Sequence, residues 1–422
     1  MMRLLSLLSG LVLMTLAQAH DMVPGAPQTQ SILLKNALVH TVINGSQANT
    51  DVLLEQGKIT AVGPNLPAGD AQVIDLTGKQ VYPGLIALNT FLGLTEISMV
   101  RSTVDTAEVG TLNPEVKAAV AFNPDSELIP TVRSNGISHV QVVPQGNGLT
   151  GQSTLVNLDS WTIVDGEVNT PTAIHLHWPT VSHWSGDKQK RAKQQEQLTK
   201  DIAAVRKAFE DAWRYSLALK AGTLTSSDIR WQAMAPLFTG EARLFAHADS
   251  QADIEQVLDL ARQYQLKPVI VGGYDAWRIP EMLSEAGAAV IYPHVFSLPR
   301  RSDEPIDLPF RIPAMLKHAG IPFAFGFKAD WDARNLPFAA GQSVGYGLTQ
   351  AQAIDAITLS AAQIMGAEHL GAIAPGYSAT VVISSGDILD PLSANIEAMY
   401  IDGRQVDLNN RHRQLYQKYL KR

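Results

Sequence analysis

Residues 81–93, Val-Tyr-Pro-Gly-Leu-Ile-Ala-Leu-Asn-Thr-Phe-Leu-Gly, constrain the fold more than any other stretch. An apolar run opened by Pro-Gly and closed by Gly reads as a short buried strand. Its end is where an α/β barrel would place chemistry. Behind it, strand-like runs at 136–144, 173–178, 243–248, 268–272, 288–292 and 322–326 alternate with helical stretches, notably 188–221 and 253–265. This alternation favours a (β/α)8 TIM-type barrel over a doubly wound sheet, because no Gly-rich phosphate turn follows the first strand. Seven strands stand out, and the eighth is expected within 153–158.

The two ends of the chain have a different texture. Short β-type runs punctuated by Gly, Pro and Asn fill residues 31–80 and return at 371–406. They predict antiparallel hairpins, either in two separate β modules or in one small composite β-sandwich. Residues 20–30 are rich in Pro, Gly and Gln and read as a loose lead-in. The tail, 407–422, carries Leu415, Tyr416, Tyr419 and Leu420 at helical spacing among basic residues. It is expected to be a packed terminal helix rather than one lying on a membrane surface.

At 422 residues and 45% hydrophobic, the chain can bury a large core, and its net charge of −7 offers no basic stripe for nucleic acid. Residues 1–19 have the pattern of a secretory signal peptide. Arg3 starts an apolar run, and Ala17-Gln18-Ala19 is a small-x-small cleavage site. The expectation is a periplasmic or secreted protein starting at His20, with no membrane span after signal removal. The absence of cysteine excludes both a lipobox and a disulfide, so core size must supply stability.

Several of these stretches resemble the amidohydrolase superfamily and, within it, the imidazolonepropionase-like group. The first barrel strand of that group typically ends Pro-Gly-hydrophobic-Ile-Asp-x-His-x-His, and "GKITAVG", "PGYSATVVI" and "MYIDGRQV" look like its β-sandwich segments. The resemblance spans nearly the whole chain after the signal and implies that the two terminal regions form one composite sandwich beside the barrel. It also implies a divalent metal such as zinc, held by two His on the first strand, often a Lys or Glu on a middle strand, His on the fifth and sixth, and Asp on the eighth. Such a metal would lower the pKa of a bound water.

This chain departs from that set. Asn89 and Phe91 stand where the first-strand imidazoles would be. Leu-Phe-Ala-His-Ala-Asp at 244–249 matches the fifth strand and makes His247 a ligand candidate. The sixth-strand position falls on Gly272 and the eighth-strand position on Lys328, with Asp330 two residues further on. An Asn amide is a poor zinc ligand, Phe and Gly have no donor, and an ammonium repels a cation. His175 and His177 share one face of a strand and His183 follows, a spacing open to a displaced metal site or to ordinary hydrogen-bonded imidazoles. The Gly-rich string 145–153, including Gly148 and Gln152, could form a loop whose amides meet an anion near Lys328 and Arg334.

Two functions follow. One is a non-catalytic, ligand-binding homologue with a degenerate metal site and no cofactor, working with a small molecule or with a related active amidohydrolase, and open to homo-oligomer formation. The other is an active hydrolase of cyclic amide or other C–N bonds, using a non-standard metal site at His247, His175 or His177 with Asp330 or Lys328 in catalysis. A barrel using Lys328 as a Schiff-base amine is a third, remoter possibility.

Overall fold

The computed structural model describes residues 23–422. The signal-peptide reading of residues 1–19 lies outside the described residues. Five strands open the fold: β1 (Ile32–His40), β2 (Ser46–Glu55), β3 (Lys58–Gly63), β4 (Gln72–Asp75) and β5 (Gln80–Pro83). Three close it: β14 (Val381–Ser384), β15 (Ile396–Ile401) and β16 (Arg404–Gln405). All eight form one sheet in the order β16-β15-β14-β5-β1-β2-β3, with β4 beside β1. The sheet curls on itself, since Ile59 N donates to Tyr377 O and Gly376 N to Ile59 O, both at 2.9 Å. Leu34, Val52, Leu54, Ile59, Val381 and Tyr400 fill the space it encloses.

The barrel strands are β6 (Leu85–Thr90), β7 (Ile137–Val142), β8 (Gly148–Asn157), β9 (Thr172–His177), β10 (Ala242–Ala248), β11 (Val269–Gly272), β12 (Ala289–Tyr292) and β13 (Phe323–Phe325). They pair in sequence order, and a parallel bridge from Leu88 to Gly326 closes the ring between β6 and β13. The chain is therefore an α/β barrel with a separate sheet domain. The expected eighth strand within 153–158 is part of the longer β8. That strand runs antiparallel to both neighbours because a short turn, not a helix, joins it to β7.

The run at 81–88 is two strands rather than one. Residues up to Pro83 pair with β14 in the sheet, and those from Leu85 pair with β7 in the barrel. Gly84 is the joint, and any Cβ there would sit 2.3 Å from Ser138 Oγ and 2.5 Å from Thr380 Cγ2. Inside the ring, Ile86, Leu88, Phe245, Val271, Ile291 and Ala324 meet the helix Leu359–Met365, which plugs the end opposite the mouth. Arg243 Nη1 caps that helix by donating to Gln363 O at 2.8 Å and Ile364 O at 2.5 Å.

The lead-in is irregular but not loose. Gly25 N donates to Asp159 Oδ2 at 2.9 Å, and Gln28 bridges Leu54 O and Gly57 N. Asp159 is the clip between the parts, fully buried, 3.0 Å from Arg133 Nη1 of the barrel and 3.7 Å from Arg404 of the sheet. Burial pushes its carboxyl up, against the pull of Arg133, the Gly25 amide and Arg404. The expected packed terminal helix is also corrected. The helix Arg411–Tyr419 forms, but none of its residues is buried. Replacing Asp159 by Ala removes the buried carboxylate shared by Arg133, Arg404 and the Gly25 amide, and we expect a loss of about 3–5 kcal/mol in urea unfolding, with Asp159→Asn less damaging.

Candidate functional site

The mouth is formed where β6, β9, β10, β11 and β13 end. Strand alternation sends every second side chain inward, so β9 contributes His175 and His177 and β10 contributes His247. His177 and His247 are directly paired across the two strands. Their rings stack with centroids 3.8 Å apart and planes 12° from parallel. Lys328 follows β13, is solvent-exposed, and lies close enough to push the His177 and His247 imidazoles down.

Below the stack runs a buried chain of hydrogen bonds whose direction follows from donor and acceptor balance. Asn89 N donates to Gln141 Oε1 at 3.0 Å, which fixes the amide so that Gln141 Nε2 donates to Ser153 Oγ at 2.9 Å. Ser153 then has its own proton to give to His175 Nε2, 2.7 Å away. His175 carries its hydrogen on Nδ1 and donates it to His247 Nε2 at 2.9 Å. Every member is thereby satisfied, as buried polar groups require. The lone pairs of His175 Nε2 and His247 Nε2 are both consumed.

The same environment keeps the imidazoles neutral. Burial holds His175 well below its ordinary value, reinforced by His177, and holds His247 well below it, reinforced by His177, His175 and Lys328. His177 is lowered to about 4 by burial and then by Lys328, against a hydrogen bond to the Pro144 carbonyl. That carbonyl takes the ring N–H, which leaves His177 Nε2 as an unpartnered acceptor.

The donors do not fit a resident metal. Parallel stacked rings aim their in-plane lone pairs side by side rather than at one point, and only His177 Nε2 has a lone pair not already engaged by a neighbour. That nitrogen and the buried Asn89 amide oxygen, beside an ammonium, are short of the three or four donors that zinc takes. Among the described residues no three His, Asp or Glu groups are placed to hold an ion.

Asn89, Gly272, His247 and Lys328 do meet at this mouth, and Phe91 N is bonded to Ala329 O at 3.0 Å beside them. Asn89, one residue before the end of its strand, has φ 59 and leaves Oδ1 buried without a partner. Gly272 has φ 107, and a Cβ there would lie 2.5 Å from Asp249 Oδ1. Asp249 also holds His294 Nε2 at 2.7 Å and Arg300 Nη2 at 2.8 Å. Burial raises the Asp249 carboxyl, but these two partners outweigh it and hold it well below the carboxylate range.

Other candidates go elsewhere. The 145–153 string is mostly strand rather than an anion-binding loop, because residues 111–117 strap along it, with Leu149 N on Thr111 O and Gln152 N on Val116 O. Gln152 turns its amide to Pro114 O, away from the mouth. Gly148, at φ 70, does reach the site and lines a cavity of about 560 Å³ with His177, Trp178, Thr180 and Asp201. Asp330 bonds its neighbour Trp331 N, and Arg334 stacks on Trp331 at 3.6 Å. His183 is exposed on the loop before the helix Lys188–Lys220. Gln141 and His294 are absent from the sequence reading; polar Gln141 within the apolar strand at 136–144 was the available signal for the first.

No protein-family model matches the chain. An amidohydrolase, tasK, of Hapsidospora irregularis is 21% identical over 392 residues, 84% of this chain and 39% of that protein. The chain thus spans well under half the length of that relative. A dihydroorotase of Thermoanaerobacter sp. (strain X514) is 36% identical over 84 residues, 19% of each chain. An amidohydrolase structure from Thermotoga maritima MSB8 superposes with a TM-score of 0.78 at 26% identity, covering 89% of this chain and 99% of that one.

The neutral imidazoles carry a pH signature. A folded-state pKa below the unfolded 6.5 gives stability that is complete above pH 6.5 and is lost as pH falls toward 4. His177→Gln removes that contribution. Between pH 7 and 4.5 the variant should lose about 2–3 kcal/mol less than the parent in urea unfolding. Equal losses would mean that His177 is not held neutral.

Proposed function

We infer, from the premise that this chain belongs to the amidohydrolase superfamily, that its barrel binds a small molecule at the mouth without metal-assisted hydrolysis. The observation that carries this reading is the one-way chain from Asn89 through Gln141, Ser153 and His175 to His247. Water activation needs a cation held by several lone pairs, and here the imidazoles spend theirs on each other. Lys328 adds positive charge at the mouth. A seryl nucleophile is not favoured either, since Ser153 lies beneath His175 and is 5% exposed.

The ligand space we assign is the cavity beside His177. It is walled by Gly148, Leu149, Trp178 and the helix residues Gln197, Asp201 and Val205. Its volume of about 560 Å³ is within the range of small-molecule sites. Asp201 is its one acidic wall residue, and Asn147, Thr180 and Gln197 add neutral polar side chains that can donate and accept. That wall suits an uncharged or singly cationic polar molecule able both to donate and to accept a hydrogen bond.

Elemental analysis after dialysis against a chelator tests the reading. We expect less than about one tenth of a metal ion per folded chain. Near-stoichiometric zinc, nickel, manganese or iron would overturn it in favour of a hydrolase acting on C–N bonds through a non-standard site. We also propose that the chain is exported on the strength of residues 1–19. Amino-terminal sequencing of protein from the extracytoplasmic fraction should begin at His20, and a cytoplasmic protein retaining Met1 or Met2 would refute export.

A further inference from the structure

We propose that the C-terminal arm, together with the rim at Trp331, docks on an anionic phospholipid bilayer. Residues 408–422 hold Arg411, Arg413, Lys418, Lys421 and Arg422 and not one Asp or Glu, on a chain whose net charge is −7. At 100° per residue the helix Arg411–Tyr419 gathers Leu415, Tyr416 and Tyr419 into an arc of about 100°, flanked by Arg411 and Lys418 at one edge and Arg413 at the other. An apolar side of this kind ordinarily packs on the core. Here Tyr416, Tyr419 and Leu420 are 63%, 59% and 61% exposed.

The arm is rooted firmly before it projects. Asn410 is buried, donates from Nδ2 to Ser134 Oγ at 2.9 Å, and caps the helix by accepting from Arg413 N at 3.0 Å. His412 meets the Trp331 ring edge-on at 6.3 Å, and Trp331, just past the eighth barrel strand, is 37% exposed with Arg334 stacked on it. Two carboxylates share this rim. Asp330, bonded by Trp331 N, keeps its charge and Asp332 pairs with Arg334, so the positive charge that meets the bilayer comes from the arm and not from the rim.

Tyrosine and tryptophan rings beside lysines match the headgroup layer of a membrane, and the basic fringe complements anionic lipid. A second copy of the chain fits less well. Two tyrosines and a leucine fall short of the roughly 800 Å² per partner that a stable protein pair buries. No helix among the described residues is long and apolar enough to cross a membrane, so attachment through this arm would be peripheral.

Co-sedimentation of the full chain with vesicles tests this. We expect binding to phosphatidylcholine vesicles containing about one third phosphatidylglycerol, little to pure phosphatidylcholine, and a tenfold or greater loss at about 0.5 M NaCl. Lys418→Glu/Lys421→Glu/Arg422→Glu should abolish binding, and Tyr416→Ser/Tyr419→Ser/Leu420→Ser should weaken it about tenfold or more with the charge intact. Both triple variants alter exposed residues, and unchanged circular dichroism confirms their fold. Failure to bind, equal binding to neutral vesicles, or indifference to charge reversal would overturn the proposal. So would a dimer, by light scattering, that the serine variant dissociates.

Discussion

A closed ring of strands has one interior, and every polar atom pointing into it must find a partner there or remain unpaired at a cost of about 1–3 kcal/mol. That constraint governs this molecule. The inner wall of the barrel is apolar at its base, where Ile86, Phe245 and Val271 meet the plugging helix, and polar above it, where Gln141, Ser153, His175 and His247 follow one another. His175 gives its Nδ1 hydrogen to His247 Nε2, so these two imidazoles satisfy one another. The backbone amide of Asn89 sets the order of the chain, because it fixes which way the Gln141 amide must face. A backbone amide of the first strand is thus linked through side chains to the fourth and fifth strands.

Much of this was legible in the sequence because strand ends in a barrel converge by topology. The alternation of β and helical runs is enough to expect the strand ends around one opening, the resemblance implied that Asn89, His247, Gly272 and Lys328 stand there, and the structure brings these four to one mouth. What escaped is what depends on long-range pairing. Glycines at 148 and 151 read as a flexible loop, yet both have φ above +60°, and a Cβ at either would lie within about 2.4 Å of a carbonyl in the 111–117 strap. The glycines are needed for close approach to that strap, and no local pattern reveals a partner some 35 residues away. The stacking of His177 on His247 is likewise a cross-strand fact, invisible along either strand alone. At the other extreme, the spacing of Leu415, Tyr416 and Tyr419 correctly gave a helix but could not say whether a core awaited it.

The sixth strand shows how far the surroundings have adjusted. Were Gly272 merely a lost histidine, an empty space would remain beside it. The Asp249 carboxylate occupies that space instead, held there by His294 and by Arg300, whose guanidinium lies over Tyr274 at 4.7 Å. The hydroxyl of Tyr274 in turn donates to Glu304, which Arg301 also binds, and Arg301 reaches Asp275. A network of this extent, spread over the ends of the fifth, sixth and seventh strands, cannot be undone by one substitution. A histidine at 272 would need a backbone at φ 107 to relax and a paired carboxylate to withdraw. Gly272 and the carboxylate packed against it are therefore parts of one tightly coupled mouth. This charged network stands on one side of the mouth and the stacked neutral imidazoles on the other, with the exposed Lys328 close to the stack.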